Sequence, residues 1–220
     1  MDYQHIYFEP WRGPEYDTVG LWGRKVLIVG ESHYDEWADH DGQGILKHHL
    51  PPSFTQECVQ EVVKGVGGAR YWARVRNRLG GEEHETQPQA VFWNKVAFYN
   101  FIQSPVDGGP GIRPTPQQWA AGAPALIEAL HLVRPDRVLF TGDHLWWHVQ
   151  ARDGKLPDIK IEADERTLRL ETFSIPDGKH AFVTQTAHPR SSKCGRWLSP
   201  FLREFVVRDW ESSTRPFGFR

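Results

Sequence analysis

Three apolar runs, far apart in the chain, each give way to a cluster of polar residues, and this arrangement restricts the fold more than any other feature. The first is Lys25-Val26-Leu27-Ile28-Val29, followed by Gly30-Glu31-Ser32-His33-Tyr34. The second runs from Val91 to Phe101 and contains Asn94 and Asn100, and the third is Ala181 to Thr186, followed by Ala187-His188-Pro189-Arg190-Ser191-Ser192. A short apolar run without alternation fits a strand buried on both faces, as in parallel sheets. In an open α/β sheet, ligands bind outside the carboxyl ends of the strands. Polar residues that follow such strands therefore converge in space, although they are distant in sequence.

The rest of the chain fits the same plan. Arg137-Val138-Leu139-Phe140-Thr141 is a further buried strand closing on Gly142. Helices are expected from Ser53 or Thr55, as N-cap, to about Lys64, and from about Ala69 to Leu79. Thr115-Pro116 reads as N-cap plus first helical residue of a helix reaching about Val133, where Pro135 stops it. Leu145 to Gln150 and Leu198 to Trp210 complete the helices, and residues 91–102 fit either a strand or a helix. Glu82 to Gln89 reads as a polar loop, Thr167 to Ser174 as one half-exposed strand, and Pro176-Asp177-Gly178 as a turn. Residues 1–24 read as an irregular N-terminal arm. Strands alternating with helices imply an α/β fold, a largely parallel sheet covered on both faces. A chain of 220 residues fits one such domain, spanning 1–220.

Composition narrows the function. The formal net charge is −2, which by itself speaks against a nucleic-acid binder, but phosphate contact requires only one positive face. Two stretches carry bases without acids: Lys64, Arg70, Arg74, Arg76 and Arg78, then Arg190, Lys193, Arg196 and Arg203. Ten Trp are many to bury, since each indole N–H wants a partner, so some are expected in a groove or on a binding face. Two cysteines, Cys58 and Cys194, have no paired spacing, which fits a reducing compartment. The sequence has neither a basic-then-apolar leader nor an apolar run near the roughly 18 residues of a membrane span. A cytoplasmic monomer with no membrane partner is expected.

Together, the Gly30 segment, Tyr99-Asn100-Phe101-Ile102-Gln103, Arg113-Pro114-Thr115-Pro116, Leu132 to Gly142, and His188-Pro189 resemble, in that order, the uracil-DNA glycosylase superfamily. The nearest match is its iron–sulfur branch, and the resemblance covers about residues 25–207. It implies a three-layer α/β/α sandwich around a small, mostly parallel sheet. It also implies hydrolysis of the bond between a uracil or modified pyrimidine and deoxyribose, with DNA as partner. By this resemblance Glu31 orients water or acts as general base, while Asn100 reads the base edge and Asn94 is its reserve; His33, a departure from the family, is expected either to assist that base or to reshape the pocket. His188 stabilises the departing base, and Arg190, Ser191, Ser192, Lys193 and Arg196 enter the DNA groove. Gly30, Ser32 and Tyr34 shape the pocket, and one of Tyr34, Trp37 or Phe54 stacks on the extruded base. The branch's cluster-ligand position near Ala123 holds no Cys, so no cluster, metal or organic cofactor is expected. His33 stands where many relatives have Pro, which makes a modified cytosine excised in host defence an alternative substrate.

Two other classes compete. Gly30-Glu31-Ser32, Asn100 and His188 also follow the order of the Gly-Asp-Ser esterases. Their orienting Asp, three residues before the His, is Gln185 here and cannot offset an imidazolium charge. A binding protein without turnover would use Trp37, Tyr71 and Trp72 with the basic runs as a nucleic-acid surface. His144 and His148, spaced i, i+4, could hold a metal only with a third ligand, and a solvent-facing pair is the simpler reading; His48-His49 is weaker still.

Overall fold

The computed structural model describes residues 3–35, 50–66, 70–108, 111–149, 161–163, 166–168, 170–175, 179–189, 191 and 198–210. The elements in chain order are β1 (Trp11–Arg12), β2 (Val26–Gly30), β3 (Tyr34–Asp35), α1 (Phe54–Val63), α2 (Arg70–Gly80), α3 (Glu82–Glu85) and α4 (Gln89–Trp93). They continue with β4 (Val96–Asn100), β5 (Val106–Asp107), α5 (Pro116–Val133), β6 (Arg137–Thr141), α6 (Asp143–Val149) and β7 (Ile161–Ala163). The last are β8 (Arg166–Leu168), β9 (Glu171–Ser174), β10 (His180–Thr186) and α7 (Leu198–Val207).

The main sheet has six strands in the order β1-β4-β2-β6-β10-β9. The inner four are parallel, and β1 and β9 close the edges antiparallel. The fold is therefore mixed α/β with a mostly parallel sheet. β2 and β6 are buried along their whole length because both faces of the sheet are covered. Val26 and Ile28 join a cluster with Val59, Val75, Leu202 and Phe205 of α1, α2 and α7. Leu27 and Val29 point the other way, into a cluster with Leu126, Leu130 and Val133 of α5 and Leu145 and Trp146 of α6. The register sets Gly30 beside Asn100, Val29 beside Phe140, and Thr141 beside Thr186. The carboxyl ends of all four parallel strands are thus level, and whatever follows them emerges along one edge.

Several local expectations hold as stated. Thr115 caps α5, with its side chain accepting from the Gln118 backbone N–H while the Gln118 side chain accepts from the Thr115 N–H, and Pro116 opens the helix. Arg134 ends it in the left-handed conformation at φ 51°. Others are revised. Residues 91–102 are both things in turn, a short helix and then a strand, because Asn94-Lys95 turns the chain between two apolar runs. The N-terminal arm is not wholly irregular: β1 pairs with β4, and an added Cβ on Gly13 would lie 2.3 Å from the Asn94 carbonyl oxygen. The stretch 82–89 holds the single-turn α3, where His84 Nδ1 lies 2.9 Å from the Gly80 carbonyl oxygen.

The strand expected over 167–174 is two strands, β8 and β9, in different sheets. α1 does start after Ser53, but Ser53 makes no capping bond and donates to Glu57, while Thr55 is buried within the helix. Arg76, placed in a basic run by its sequence, is buried, and its guanidinium donates to Asn77 and to the carbonyls of Gln87 and Glu85. The turn at 176–178 lies outside the described residues. Among the described residues, no helix is long and apolar enough to cross a membrane.

The indoles divide by role. Trp11, Trp93 and Trp210 are buried, and their N–H groups donate to the Trp93 carbonyl, the Gln89 side chain and the Phe205 carbonyl. Trp147 stays on the surface. Trp37 and Trp197 lie outside the described residues.

Candidate functional site

A cavity of about 590 Å³ opens at the carboxyl edge of the sheet. Glu31, Ser32, His33 and Tyr34 line it from the segment after β2, Asn100 from the end of β4, Gly142 from the link after β6, and Asp143 and His144 from the start of α6. His188 and Ser191 reach it from beyond β10, and Tyr71, Trp72 and Phe98 form an aromatic wall.

Gly30 is required by packing. A Cβ there would sit 2.3 Å from Asn100 Oδ1 and 3.1 Å from the Tyr71 hydroxyl, so any side chain would push the amide out of place. The main chain beyond it is pinned, since Phe101 N–H donates to the Gly30 carbonyl at 3.0 Å and Ile102 N–H to the Glu31 carbonyl at 2.9 Å. Glu31 is 12% exposed, and Arg113, 64% exposed, donates Nη1–H to both of its carboxylate oxygens at 3.1 and 3.2 Å. Asn100 is buried, and its own carbonyl accepts from Gln103 Nε2. Gln103 Oε1 in turn accepts from the Tyr7 and Phe8 N–H groups, which ties the N-terminal arm to the floor of the site.

His33 lines the cavity from a tightly packed position. Its ring sits between Phe8 and Phe54, each centroid 4.9 Å away, and its Nε2 lies 2.8 Å from Thr55 Oγ1. Burial drives its pKa down to about 4, so the imidazole is neutral near pH 7 and serves as wall. Phe54 backs this ring and does not line the cavity. Tyr34 does line it, held on β3 against β5. The Ser32 hydroxyl is buried without a hydrogen-bond partner. Among the described residues no imidazole is therefore poised to take its proton, and the esterase arrangement is not formed there. Asn94 sits at the far, amino end of β4 and is not at the cavity.

The aromatic wall is fixed by hydrogen bonds. Thr141 Oγ1 donates to the Val29 carbonyl at 2.9 Å, so the Tyr71 hydroxyl, 3.1 Å from Oγ1, acts as donor to it. Burial pushes the Tyr71 pKa up to about 12, which keeps it a phenol. Its ring lies 5.7 Å from that of His188, and Trp72 packs on Phe98 at 4.7 Å. His188 is exposed at the mouth, and its carbonyl accepts from Ser191 N–H at 2.7 Å. Trp37, Arg190, Ser192, Lys193 and Arg196 lie outside the described residues.

Sequence reasoning assigned Glu31, Ser32, His33, Tyr34, Asn100, His188 and Ser191 to a site, and the structure brings these together. It missed Arg113, Asp143 and His144, and it placed Tyr71 and Trp72 only on the surface of a binding protein without turnover. A signal for two of them existed: Asp143 and His144 follow the buried run ending at Thr141, the same pattern that marked the other three segments. His148, one turn on, stacks flat on Trp119 with centroids 3.9 Å apart, and burial together with the charge of His144 lowers its pKa. Among the described residues, no group of three or more His, Cys, Asp or Glu could hold a metal ion.

Neither a family model nor a curated protein matches this chain. The chemistry open to the site therefore rests on its residues. It offers a carboxylate that can accept from water, an amide with donor and acceptor side by side, an imidazole at the mouth, and a flat aromatic wall.

Proposed function

We propose that the protein is a DNA glycosylase of the uracil-DNA glycosylase type, built as a three-layer α/β/α sandwich, that removes a pyrimidine-type base. What supports the reading most is that Glu31, Asn100 and His188, from three separate strand ends, line one cavity together with the aromatic wall. A base extruded from the stack would lie against Tyr71, Trp72 and Phe98 and pair its edge with the Asn100 amide. Glu31 holds a water on the sugar side, and its carboxylate is kept in place by Arg113. The water oxygen bonds to C1′ as the C1′–N bond breaks, and the bond's electron pair leaves with the base. His188 donates to the base oxygen where that charge collects, and the proton shed by water neutralises the base. The products are an abasic site and a free base.

The esterase alternative loses support because Ser32 has no base beside it. The test is incubation with end-labelled oligonucleotides bearing uracil, hypoxanthine, mismatched thymine or modified cytosines, followed by alkali. Strand scission at one of these bases is the expected result. Intact strands across the whole set would overturn the proposal.

A further inference from the structure

α2 enters the cavity at its first turn, where Tyr71 meets each of the four parallel strands or the segment just beyond it. Its hydroxyl lies 3.1 Å from Oγ1 of Thr141, the last residue of β6. A Cβ added to Gly30, the last residue of β2, would come within 3.1 Å of the same hydroxyl. The ring meets Phe98 of β4 edge-on at 6.4 Å. It also lies 5.7 Å from the imidazole of His188, beyond the end of β10, with the two planes inclined at 35°.

These contacts leave the phenol little freedom. Thr141 Oγ1 gives its own proton to the Val29 carbonyl, so the phenol donates to it and the ring is tethered at its far end. Trp72, at 5.3 Å, and Phe98 hold it edge-on at the sides. The tether also bears on the His188 segment. Thr141 is in register with Thr186, so the strand that anchors the phenol lies directly beside the strand that delivers the imidazole. The main chain there is turned by the Ser191 N–H donating to the His188 carbonyl.

His188 is in the opposite situation, since it lines the cavity from an exposed position at its mouth. A donor stabilises developing charge only from hydrogen-bond distance, and a displacement of about 1 Å can cost about a hundredfold in rate. An exposed imidazole samples several rotamers unless packing selects one. Tyr71 offers it a fixed, flat face at a separation where aromatic rings attract each other in tilted or offset pairs. We propose that Tyr71 is a positioning residue for His188: the tethered phenol ring selects the rotamer that aims the imidazole into the cavity. This rests on the glycosylase reading above for the reaction that His188 serves. It gives α2, which lies outside the segments carrying the family resemblance, a part in setting the rate of the chemical step.

The test is a double-mutant cycle on excision from the oligonucleotide that the wild type cuts, with Tyr71→Leu, His188→Ala, the two together, and Tyr71→Phe as the conservative variant. Tyr71→Leu should lower kcat by about 10- to 100-fold and change KM by about threefold or less. In the His188→Ala background the same substitution should cost less than about twofold, because a residue that acts through His188 then has nothing to position. Tyr71→Phe keeps the ring and loses only the bond to Thr141, so its kcat should stay within about threefold of wild type. If the two losses multiply in the double variant, the proposal is overturned and Tyr71 is a wall for the base alone. A wild-type rate in Tyr71→Leu would overturn it as well. A second measurement depends neither on turnover nor on the stability of the Leu variant. It is NMR cross-relaxation between the ring protons of Tyr71 and His188 in the unsubstituted protein, assigned by its loss in His188→Ala. A cross-peak is expected, and its absence would sink the proposal. If the wild type excises no base, the glycosylase reading falls, while the cross-peak still decides whether Tyr71 holds His188.

Discussion

The two ends of the parallel sheet treat charge in opposite ways. At the amino end Arg137 is only 3% exposed, and its guanidinium donates to the carbonyls of Phe205, Asp136 and Arg208 while lying over the Phe182 ring. Asp136 beside it accepts from Lys25 N–H through its carboxylate, and its own backbone N–H donates to the Lys25 carbonyl. Lys25 also pairs with Asp17, which pairs with Arg12. These charges knit the first turns of the strands to each other and to the segment after α7. At the carboxyl end Glu31 bonds to the exposed side chain of Arg113 from a loop, and a Ser32 hydroxyl is left unpartnered at the cavity. Buried polar groups are ordinarily satisfied, because leaving one without a partner costs about 1–3 kcal/mol. The amino end follows that rule for its charges and holds the fold, although the Tyr16 hydroxyl beside Arg12 and Asp17 is buried without a partner. The carboxyl end, by contrast, leaves its unpartnered Ser32 hydroxyl where a ligand would enter.

The largest effect expected from this contrast is at the amino end. Arg137→Met would leave buried carbonyls without donors and should destabilise the protein by about 3–5 kcal/mol. That corresponds to a fall in Tm of roughly 10 °C for a chain of this size. Base excision measured well below the transition should stay near the wild-type rate. A variant with unchanged Tm would mean that the amino-end network is not structural.

His33 is the carboxyl-end residue that behaves like the amino end. Its folded pKa of about 4 lies below the ordinary value of 6.5, so the unfolded chain binds more protons between those two pH values. The stabilisation from its neutral form is complete above about pH 6.5 and is lost as pH falls toward 4. Its full size is on the order of 3 kcal/mol. Thermal unfolding followed from pH 7.5 to 4 should show a steeper loss of Tm in wild type than in His33→Phe. Parallel curves would mean that His33 does not titrate in this way.

At the site itself, Glu31→Gln and His188→Ala should each lower the rate of excision by about a hundredfold or more, with Tm within a few degrees of wild type. A large change in Tm with retained activity would reverse the comparison, making the carboxyl end the structural one.

What the sequence made legible follows the same division. β2 and β6 could be read because a strand buried on both faces is a continuous apolar run, and α5 because Thr115, Pro116 and Gln118 encode its start locally. Glu31, Asn100 and His188 could be placed at the cavity because each lies at or just beyond the end of a strand. β1 could not, since two residues, Trp11 and Arg12, become a strand only through pairing with β4. The direction of His33 was equally hidden, because it depends on Phe8, Phe54 and Thr55, distant from it in sequence and adjacent only after folding. Arg113 reaches Glu31 across 82 positions, and nothing near either residue announces the pair.

The smallest effect is also the sharpest test of the unpartnered hydroxyl. Ser32→Ala removes a buried oxygen that has no hydrogen bond, so stability should stay level or rise by up to about 1 kcal/mol. If the hydroxyl waits for a substrate atom, Ser32→Ala should raise KM by about five- to tenfold through loss of one hydrogen bond while kcat changes little. If it is idle, neither constant should move. Abolished turnover, with the fold intact by thermal unfolding, would instead make Ser32 the nucleophile. The carboxyl end would then be an acyl-transfer site whose His188 swings onto the hydroxyl only when substrate is bound.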